Sequence, residues 1–251
     1  MVKVGIIGGS GLDDPHILTG TKEVEMKTPY GAPSSPLTLG RIGGVDVVLL
    51  ARHGWKHQLS PTIVPNQANI WALKEQGCTH IFATTAVGSL REEIRPGHFI
   101  LPDQLIDFTK HRKTTFHERF DQGPVHVAMA EPFSPELRRL LVAACHDLNM
   151  AVHDRGTLIT IEGPRFSTRA ESKMFRAWGA DIINMSTAPE CSLAREVGIP
   201  YAVIAMSTDY DCWREDEEPV SWDRIIEVFS RNVTNVTKVL LAALTRLGGE
   251  R

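Results

Sequence analysis

The sequence lacks the features that mark several large classes of protein. Its 251 residues contain no run of 18 apolar residues, so no segment is predicted to span a membrane. Too few apolar residues precede the first glycines for the core of a signal peptide, and we expect a cytoplasmic protein. The 4 cysteines are widely separated, without a CxxC pair or a paired Cys/His pattern, which favours ordinary buried or half-buried thiols over a metal site.

The composition gives no sign of disorder or of a nucleic-acid surface. Hydrophobic residues make up 42% and charged residues 23%, close to the averages of globular proteins. The formal net charge is −3, whereas a nucleic-acid-binding surface is typically strongly basic. No linker, internal repeat or shift in composition divides the chain, so we predict one domain over residues 1–251.

Strand-like and helix-like segments alternate along the chain. β-branched apolar runs predict strands at 2–7, 37–42, 45–50, 80–84, 99–101, 151–161, 182–185 and 201–206. Amphipathic patterns with capping signals, such as the capping box that begins at Thr168, predict helices at 65–76, 134–149, 168–178, 189–197 and 221–247. This alternation is typical of an α/β fold with a central mixed sheet flanked by helices. The polar, basic stretch 107–122 is interpreted as a solvated loop or a subunit contact.

Groups that could bind an anion follow several of the predicted strands. In open α/β sheets, ligands bind beyond the carboxyl ends of the strands. Residues 8–11 (GGSG) could form a nest of backbone N–H groups with the hydroxyl of Ser10, although a plain tight turn is also possible. Arg52 and His53 follow the strand at 45–50, and a guanidinium fork matches phosphate oxygens, although an ion pair is the alternative.

Hydroxyl and carboxyl groups follow three further strands. Residues 85–89 and 184–187 supply hydroxyls, for which turn chemistry is the alternative interpretation. Asp209 and Asp211 follow the strand at 201–206 and would point the same way in an extended chain. Two close carboxylates raise one pKa, which makes an acid able to donate a proton near neutral pH. Solvated turn residues remain the other interpretation of this pair.

Together these groups favour a site for a small, free anion. The glycine pattern is neither GxGxxG nor a P-loop, so no dinucleotide or nucleoside triphosphate is indicated. The sequence shows no metal-ligand constellation and no spacing that argues a Ser-His-Asp triad.

Six longer motifs resemble the family of 5′-methylthioadenosine phosphorylases. They lie, in the family's order, at 5–15, 49–54, 67–75, 88–93, 160–167 and 207–213. The resemblance runs from the first strand to about residue 240. It implies the purine nucleoside phosphorylase fold, a homotrimer, and reversible phosphorolysis of methylthioadenosine to adenine and 5-methylthioribose 1-phosphate, which feeds methionine and purine salvage. It implies no metal and no organic cofactor, with inorganic phosphate as co-substrate.

The resemblance also implies a role for particular residues. The residues expected to hold phosphate are Ser10, Arg52, His53, Thr85, Ala86 and Ser186. The residues expected to contact the nucleoside are Phe166, Ser167, Met185, Asp209, Asp211, Trp222, Ile225 and, from a neighbouring subunit, His126. Asp209 is the expected acid at purine N7.

Three rival functions stay open from the sequence. One is a 6-oxopurine or methylthioinosine phosphorylase, whose members generally carry Asn where this chain has Asp209. Another is a nucleosidase that uses water, which would not need Arg52 or the hydroxyl cluster. The last is a catalytically silent nucleoside-binding regulator. Asp209 and Asp211 favour adenine, because a carboxylate suits the donor at the 6-amino group.

Overall fold

The computed structural model describes residues 2–9, 17–121, 123–216 and 222–249, without the side chains of residues 222–224, 226, 229, 231 and 232. The strands are β1 (Lys3–Gly8), β2 (Thr19–Val24), β3 (Leu37–Ile42), β4 (Val45–Ala51), β5 (His80–Ser89), β6 (Phe99–Ile100), β7 (Gln104–Phe108), β8 (Val152–His153), β9 (Thr157–Ile161), β10 (Ile182–Asn184) and β11 (Tyr201–Asp209). The helices are α1 (Asn66–Glu75), α2 (Pro135–Asp147), α3 (Arg169–Ala177), α4 (Thr187–Glu196) and α5 (Trp222–Gly249). A short 3-10 turn covers Pro61–Ile63.

The strands form one mixed sheet, so the predicted α/β fold is confirmed. Its main order is β2-β3-β4-β1-β5-β10-β9-β7, while β11 pairs with both β5 and β6, and β8 pairs with β6. The strands β1, β4, β5 and β11 run parallel, and β10 runs antiparallel to the far end of β5. Two sets of strands with opposite directions therefore meet along β5.

Successive side chains of the central strands enter two different cores. Ile6 packs in a cluster with residues of α2 and α5, and Ile7 packs in a second cluster with residues of α1 and α4. Leu49 and Leu50 divide between the clusters in the same way. Because both faces of these strands are covered, their sequences are continuous apolar runs, as in most parallel sheets. No helix in the described part of the chain is both long enough and apolar enough for a membrane span.

The caps of two helices follow the sequence prediction. Ser134 caps α2 and accepts a hydrogen bond from the backbone N–H of Leu137 at 3.3 Å. Thr168 and Glu171 form a complete capping box at α3. Helix α4 begins at Thr187, two residues earlier than predicted, since its Pro189 lies within the first turn rather than at its first residue.

Several strand boundaries differ from the prediction. Strands β2 and β7 were not predicted, because β2 is mostly exposed and polar and β7 is only half-buried, so neither carries an apolar run. Residues 85–89 continue β5 instead of forming a turn, because β10 and β11 pair with them. The predicted strand at 151–161 is two strands, β8 and β9, that pair with different neighbours.

Candidate active site

A cavity of about 460 Å³ opens where the two sets of strands meet. β4 and β11 deliver the residues at their carboxyl ends to it, as expected for parallel strands. β10 runs back along the far end of β5, so its last residue, Asn184, arrives beside Thr85 in the middle of β5. The residues predicted for the site that line this cavity are Arg52, His53, Thr85, Ala86, Phe166, Ser167, Met185, Ser186, Asp209, Asp211 and Ile225.

Arg52 is almost fully buried, with 2% of its surface exposed. Its Nε and Nη2 both donate to the carboxylate of Glu190, the latter at 3.1 Å, and Nη1 donates to the carbonyl of Thr84 at 2.8 Å. Burial alone would lower the pKa of Arg52, but the charge of Glu190 raises it above its usual value. Glu190 therefore occupies the Nε–Nη2 edge of the guanidinium, so the ion pair named as the alternative is present, and the phosphate role of Arg52 stays a prediction.

Glu190 also accepts a hydrogen bond from the hydroxyl of Tyr201 at 2.8 Å. Both residues are buried, and burial, followed by the charge of Glu190, raises the pKa of Tyr201 well above its usual value. Arg52, Glu190 and Tyr201 thus form one buried network that fixes the guanidinium at the cavity wall. Sequence reasoning missed Glu190, since nothing in the spacing of residues 52 and 190 brings them together.

Gly9 is needed where the guanidinium passes the first strand. A Cβ at this position would lie 2.7 Å from Nη1 of Arg52 and 2.8 Å from the carbonyl oxygen of Thr84, closer than real side chains come. The N–H of Gly9 donates to the hydroxyl of Thr84 at 3.1 Å. The glycine therefore serves the close approach of Arg52, and its own N–H is engaged by Thr84.

His53 presents a neutral ring to the cavity. Its Nδ1 lies 2.8 Å from the carbonyl oxygen of Leu59, which can only accept, so Nδ1 carries the proton and Nε2 is left as an acceptor. Burial, followed by the charge of Arg52, lowers the pKa of His53 to about 4. The ring is therefore uncharged at neutral pH.

Hydroxyl groups form the wall beside these two residues. The hydroxyls of Thr85 and Ser186 lie 3.3 Å apart, and Asn184 contacts both. Ser186 is the N-cap residue of α4, but its side chain makes no capping hydrogen bond. Its hydroxyl is consequently available to the cavity.

The two carboxylates lie at the opposite end of the cavity. Asp209 ends β11, and its oxygens accept hydrogen bonds from the backbone N–H of Asp211 and the hydroxyl of Thr208, both at 2.7 Å. Asp211 has a positive φ of 51°, so the extended geometry predicted for the pair is wrong: the chain turns after the bulge near Ser207. The pKa of Asp211 is raised, and burial is the largest cause rather than the second carboxylate.

An apolar wall joins the two ends. Met185 follows β10, and Phe166, 37% exposed, lies in the loop that follows β9. Ser167 donates to Asp211 at 3.2 Å, which connects this loop to the carboxylates. Gly163 has a positive φ of 66° and leaves space for the sulfur of Met185, where any Cβ would collide.

Three of the predicted site residues are not seen at the cavity in the part of the chain that the structure describes. Ser10 lies outside the described residues, and so does the side chain of Trp222, whose backbone begins α5. His126 is exposed and packs edge-on against Phe120, with 5.5 Å between the ring centres, and it is not among the residues that line the cavity. Its assignment to a neighbouring subunit stays a prediction.

Comparison with known proteins identifies the family. A model of the phosphorylase superfamily matches residues 3–245. The chain belongs to this superfamily. The S-methyl-5′-thioadenosine phosphorylase of Danio rerio is 55% identical over 98% of this chain and 89% of its own length. The enzyme of that name from Drosophila melanogaster is 50% identical over 99% of this chain and 87% of its own length.

Solved structures of the same family share the fold. Methylthioadenosine phosphorylase from Schistosoma mansoni in complex with adenine superposes with a TM-score of 0.95 at 43% identity, covering 100% of this chain and 93% of that one. A mutant of the adenosine/methylthioadenosine phosphorylase from the same organism, in complex with methylthioadenosine, gives a TM-score of 0.93 at 42% identity, with coverage of 100% and 93%. The purine nucleoside phosphorylase fold expected from the sequence is thereby confirmed.

A second ion pair, between the buried side chain of Arg112 and the half-buried Glu162, lies behind the apolar wall of the cavity. The side chain of Arg112 is 1% exposed, and its Nε donates to Glu162 at 2.8 Å while Nη1 donates to the carbonyl of Met185 at 3.0 Å. The interpretation of 107–122 as a solvated loop or subunit contact is therefore wrong at this residue. The parallel pairing of β7 with β9 brings Arg112 beside Glu162, and that pairing was not predicted.

Glu162 collects donors from the same loop. Its carboxylate accepts from the backbone N–H groups of Lys110 at 2.7 Å and His111 at 3.1 Å. Partial burial would raise the pKa of Glu162, but these donors and Arg112 together lower it to about 2. The pair ties the loop after β7 to the backbone of Met185, and thereby positions the apolar wall.

Replacing Glu162 by glutamine should lower thermal stability at pH 7, and the deficit should shrink in acid. The pKa of Glu162 in the folded protein lies below its ordinary value of 4.5, so its stabilising effect is complete above that pH and is lost towards about pH 2. The check is the difference in Tm between wild type and variant from pH 7 to the lowest pH at which both unfold reversibly. A difference that stays constant with pH would show that the charge of Glu162 does not contribute.

The four cysteines are free thiols in the structure. Cys78, Cys145 and Cys191 are buried and Cys212 is partly buried, which confirms the prediction of ordinary thiols. Burial raises the pKa of the first three to about 12, so they are protonated at neutral pH. Within the residues that the structure describes, no group of three His, Cys, Asp or Glu side chains is arranged to hold a metal ion.

Proposed function

We propose that this protein catalyses the phosphorolysis of S-methyl-5′-thioadenosine to adenine and 5-methylthioribose 1-phosphate. One observation carries the proposal: a single cavity joins an end lined by a guanidinium and hydroxyls to an end lined by two buried carboxylates. The first end suits phosphate and the second suits the amino-purine of the nucleoside. Relatives named for this reaction, matching over nearly the whole chain, support the same assignment.

The anion end is proposed to hold the attacking phosphate. Arg52 is proposed to offer the guanidinium N–H groups that remain, since Glu190 engages two of its five donors and Thr84 a third. Thr85 and Ser186 supply hydroxyl donors, Ala86 lines the same wall, and Ser10 is expected to add a further hydroxyl. His53, with Nε2 as an acceptor, can accept a hydrogen bond from a protonated phosphate oxygen.

The carboxylate end is proposed to assist departure of the base. Cleavage of a glycosidic bond builds positive charge on the sugar and negative charge on the leaving group. An acid at purine N7 relieves the second charge, which typically contributes about 10²–10⁴-fold in rate. Asp209 is the proposed acid, while Asp211 and Ser167 support it and face the 6-amino group.

Thr208 can accommodate Asp209 with or without a proton. Its single hydroxyl proton has two acceptors within reach, Oδ2 of Asp209 at 2.7 Å and the carbonyl of Val87 at 3.2 Å. When the proton points to Val87, the hydroxyl oxygen is free to accept from a protonated Asp209. The local hydrogen bonding therefore permits Asp209 to gain and to lose a proton.

The ribose and the 5′ group are assigned to the apolar wall. Met185 is proposed to lie against the ribose and Phe166 against the base. Ile225 lines the cavity from the first turn of α5, and Trp222 lies one helical turn earlier in the sequence. We propose that these two residues and a neighbouring subunit's His126 enclose the methylthio group.

The remaining assignments extend the same proposal. A cytoplasmic homotrimer is proposed, and the exposed apolar side chains of Phe120, Val125 and Val127 around His126 support a subunit contact at that loop. The reaction as written needs inorganic phosphate as co-substrate, and we propose no metal or organic cofactor. Light scattering on the purified protein tests the trimer.

The test of the proposed function is adenine release from methylthioadenosine with and without phosphate. We expect release that requires phosphate, and we expect methylthioinosine to be a much poorer substrate. Release without phosphate would identify a nucleosidase. No release from methylthioadenosine, with turnover of the oxopurine nucleoside instead, would identify the other phosphorylase, and no turnover of either nucleoside would support a silent binding protein.

A further inference from the structure

We propose that Asn184 is a positioning residue that directs the hydroxyl protons of Thr85 and Ser186 towards the bound phosphate. This inference rests on the proposed function, because it specifies how the anion end of the same cavity recognises its ligand. Asn184 was part of a motif noted in the sequence, but no role was predicted for it.

Asn184 lies at the centre of a cluster of hydroxyls. It is the last residue of β10 and 6% exposed. Its Nδ2 lies 2.6 Å from the hydroxyl of Thr187, 3.1 Å from that of Thr85 and 3.4 Å from that of Ser186. Its Oδ1 accepts from the hydroxyl of Thr160 at 2.8 Å. One amide therefore contacts both hydroxyls proposed for phosphate and two that lie behind them.

The direction of these hydrogen bonds follows from groups that can only donate. The backbone N–H of Ala188 donates to the hydroxyl of Thr160 at 3.2 Å, and the backbone N–H of Ser186 donates to Oδ1 of Asn184 at 3.4 Å. Thr160 therefore accepts from the backbone and passes its own proton to Oδ1. With Oδ1 fixed on that side, the NH₂ group of Asn184 must face the hydroxyls of Thr85, Ser186 and Thr187.

The fixed amide decides what the two cavity hydroxyls can do. Nδ2 carries two protons: one points to Thr187, and the other is shared by Thr85 and Ser186, whose hydroxyls lie 3.3 Å apart. Both cavity hydroxyls therefore accept from the shared proton, and their own protons are left for another acceptor. The proton of Thr85 has the carbonyl of Ala86 at 3.0 Å, and an anion in the cavity is a stronger acceptor than a neutral carbonyl. Thr160 and Thr187 are fully buried and do not line the cavity, so their hydroxyls only hold the amide.

The substitution Asn184→Asp reverses this arrangement with almost no change in shape. A carboxylate only accepts, so it would draw the protons of Thr85 and Ser186 away from the cavity and place a negative charge beside the phosphate. We expect the KM for phosphate to rise about 100-fold or more, as for the loss of two hydrogen bonds to a charged group, while the KM for methylthioadenosine changes less than about threefold.

The matched control is Thr187→Val. It removes the shortest contact of Nδ2 but keeps both cavity hydroxyls and the Thr160 contact that orients the amide. We expect a loss of thermal stability with a KM for phosphate within about threefold of wild type, since loss of one buried hydrogen bond acts on folding.

If Asn184→Asp does not fold, Asn184→Ala replaces it. We then expect phosphate affinity to be about tenfold weaker, because the hydroxyls lose one orienting donor.

The decisive measurement is calorimetric titration with inorganic phosphate, and with adenine as a second probe. Three proteins are compared: the wild type, Thr187→Val, and Asn184→Asp or its alanine replacement. Selective loss of phosphate affinity in the Asn184 variant, with adenine binding retained, supports the proposal. Equal phosphate affinity in all three proteins, no phosphate binding by the wild type, or equal losses for phosphate and adenine would overturn it. Failure of the proposed function would be seen separately. In that case phosphate binding would still depend on Asn184, but the wild-type protein would release no adenine from methylthioadenosine.

Discussion

Replacing Arg52 by alanine should weaken phosphate use and also destabilise the protein. We expect the KM for phosphate to rise about 10- to 150-fold, because a charge-assisted contact contributes about 1.5–3 kcal/mol. We also expect a loss of about 3–5 kcal/mol in the free energy of unfolding, because the carboxylate of Glu190 would be left buried without its partner. Phosphate-dependent kinetics and chemical denaturation measure the two effects separately.

A double variant separates the two roles of Arg52. Arg52→Met with Glu190→Gln removes both charges, and glutamine retains an acceptor for the hydroxyl of Tyr201. Since no buried charge is left unpaired, most of the lost stability should return, but phosphate use should stay as poor as in the single variant. A stable double variant with the wild-type KM for phosphate would show that Arg52 is only a structural ion-pair partner.

Replacing Asp209 by asparagine should lower kcat for methylthioadenosine by at least about a hundredfold, as for the loss of a general acid. Asparagine has nearly the same shape and can still accept one hydrogen bond from the backbone N–H of Asp211, so the fold should be retained. Its amide cannot give up a proton to N7. Single-turnover kinetics with saturating phosphate measure this chemical step without the contribution of product release.

Asp211→Asn is the matched control for this change. It makes the same chemical replacement two residues away, on a carboxylate that accepts from Ser167. We expect it to raise the KM for the nucleoside and to lower kcat less than about tenfold, because Asp211 is assigned to recognition and not to proton donation. Equal losses of kcat in both variants would contradict the choice of Asp209 as the acid.

Base preference should change when Asp209→Asn is combined with Ser167→Asn. Amides at both positions offer donors and acceptors that match the 6-oxo edge of inosine better than the 6-amino edge of adenosine. The ratio of kcat/KM for adenosine over inosine should therefore fall. A double variant that keeps the wild-type ratio would place base selection elsewhere in the cavity.

The sequence was sufficient for those parts of the fold that rest on local signals. Ser134 and the capping box at Thr168 set helix starts through contacts within one turn, and apolar runs marked the strands buried on both faces. The same reasoning placed Arg52 and Asp209 in one region, because the carboxyl ends of parallel strands meet at one edge of the sheet, whereas Thr85 reaches it from the middle of β5. The motif resemblance supplied the roles that spacing alone left open.

The interactions that could not be predicted join residues far apart in the chain. Glu190 reaches Arg52 across 138 positions, and Arg112 reaches Glu162 across 50, so neither pair has a periodic signal. The first pair depends on how α4 packs against the sheet and the second on the pairing of β7 with β9, and local patterns determine neither. Asn184 was visible in a motif, but its role depends on β10 running antiparallel to β5, which brings it beside Thr85.

The most direct test of the central claim follows phosphate and base in one reaction. Phosphorus NMR of the protein with methylthioadenosine and inorganic phosphate should show the formation of a sugar 1-phosphate ester. The amount of ester formed should equal the amount of adenine released. The same ratio should hold at every time point, because both products come from one bond cleavage in one cavity. Adenine released without a phosphate ester, or an ester formed without adenine, would contradict phosphorolysis at this site.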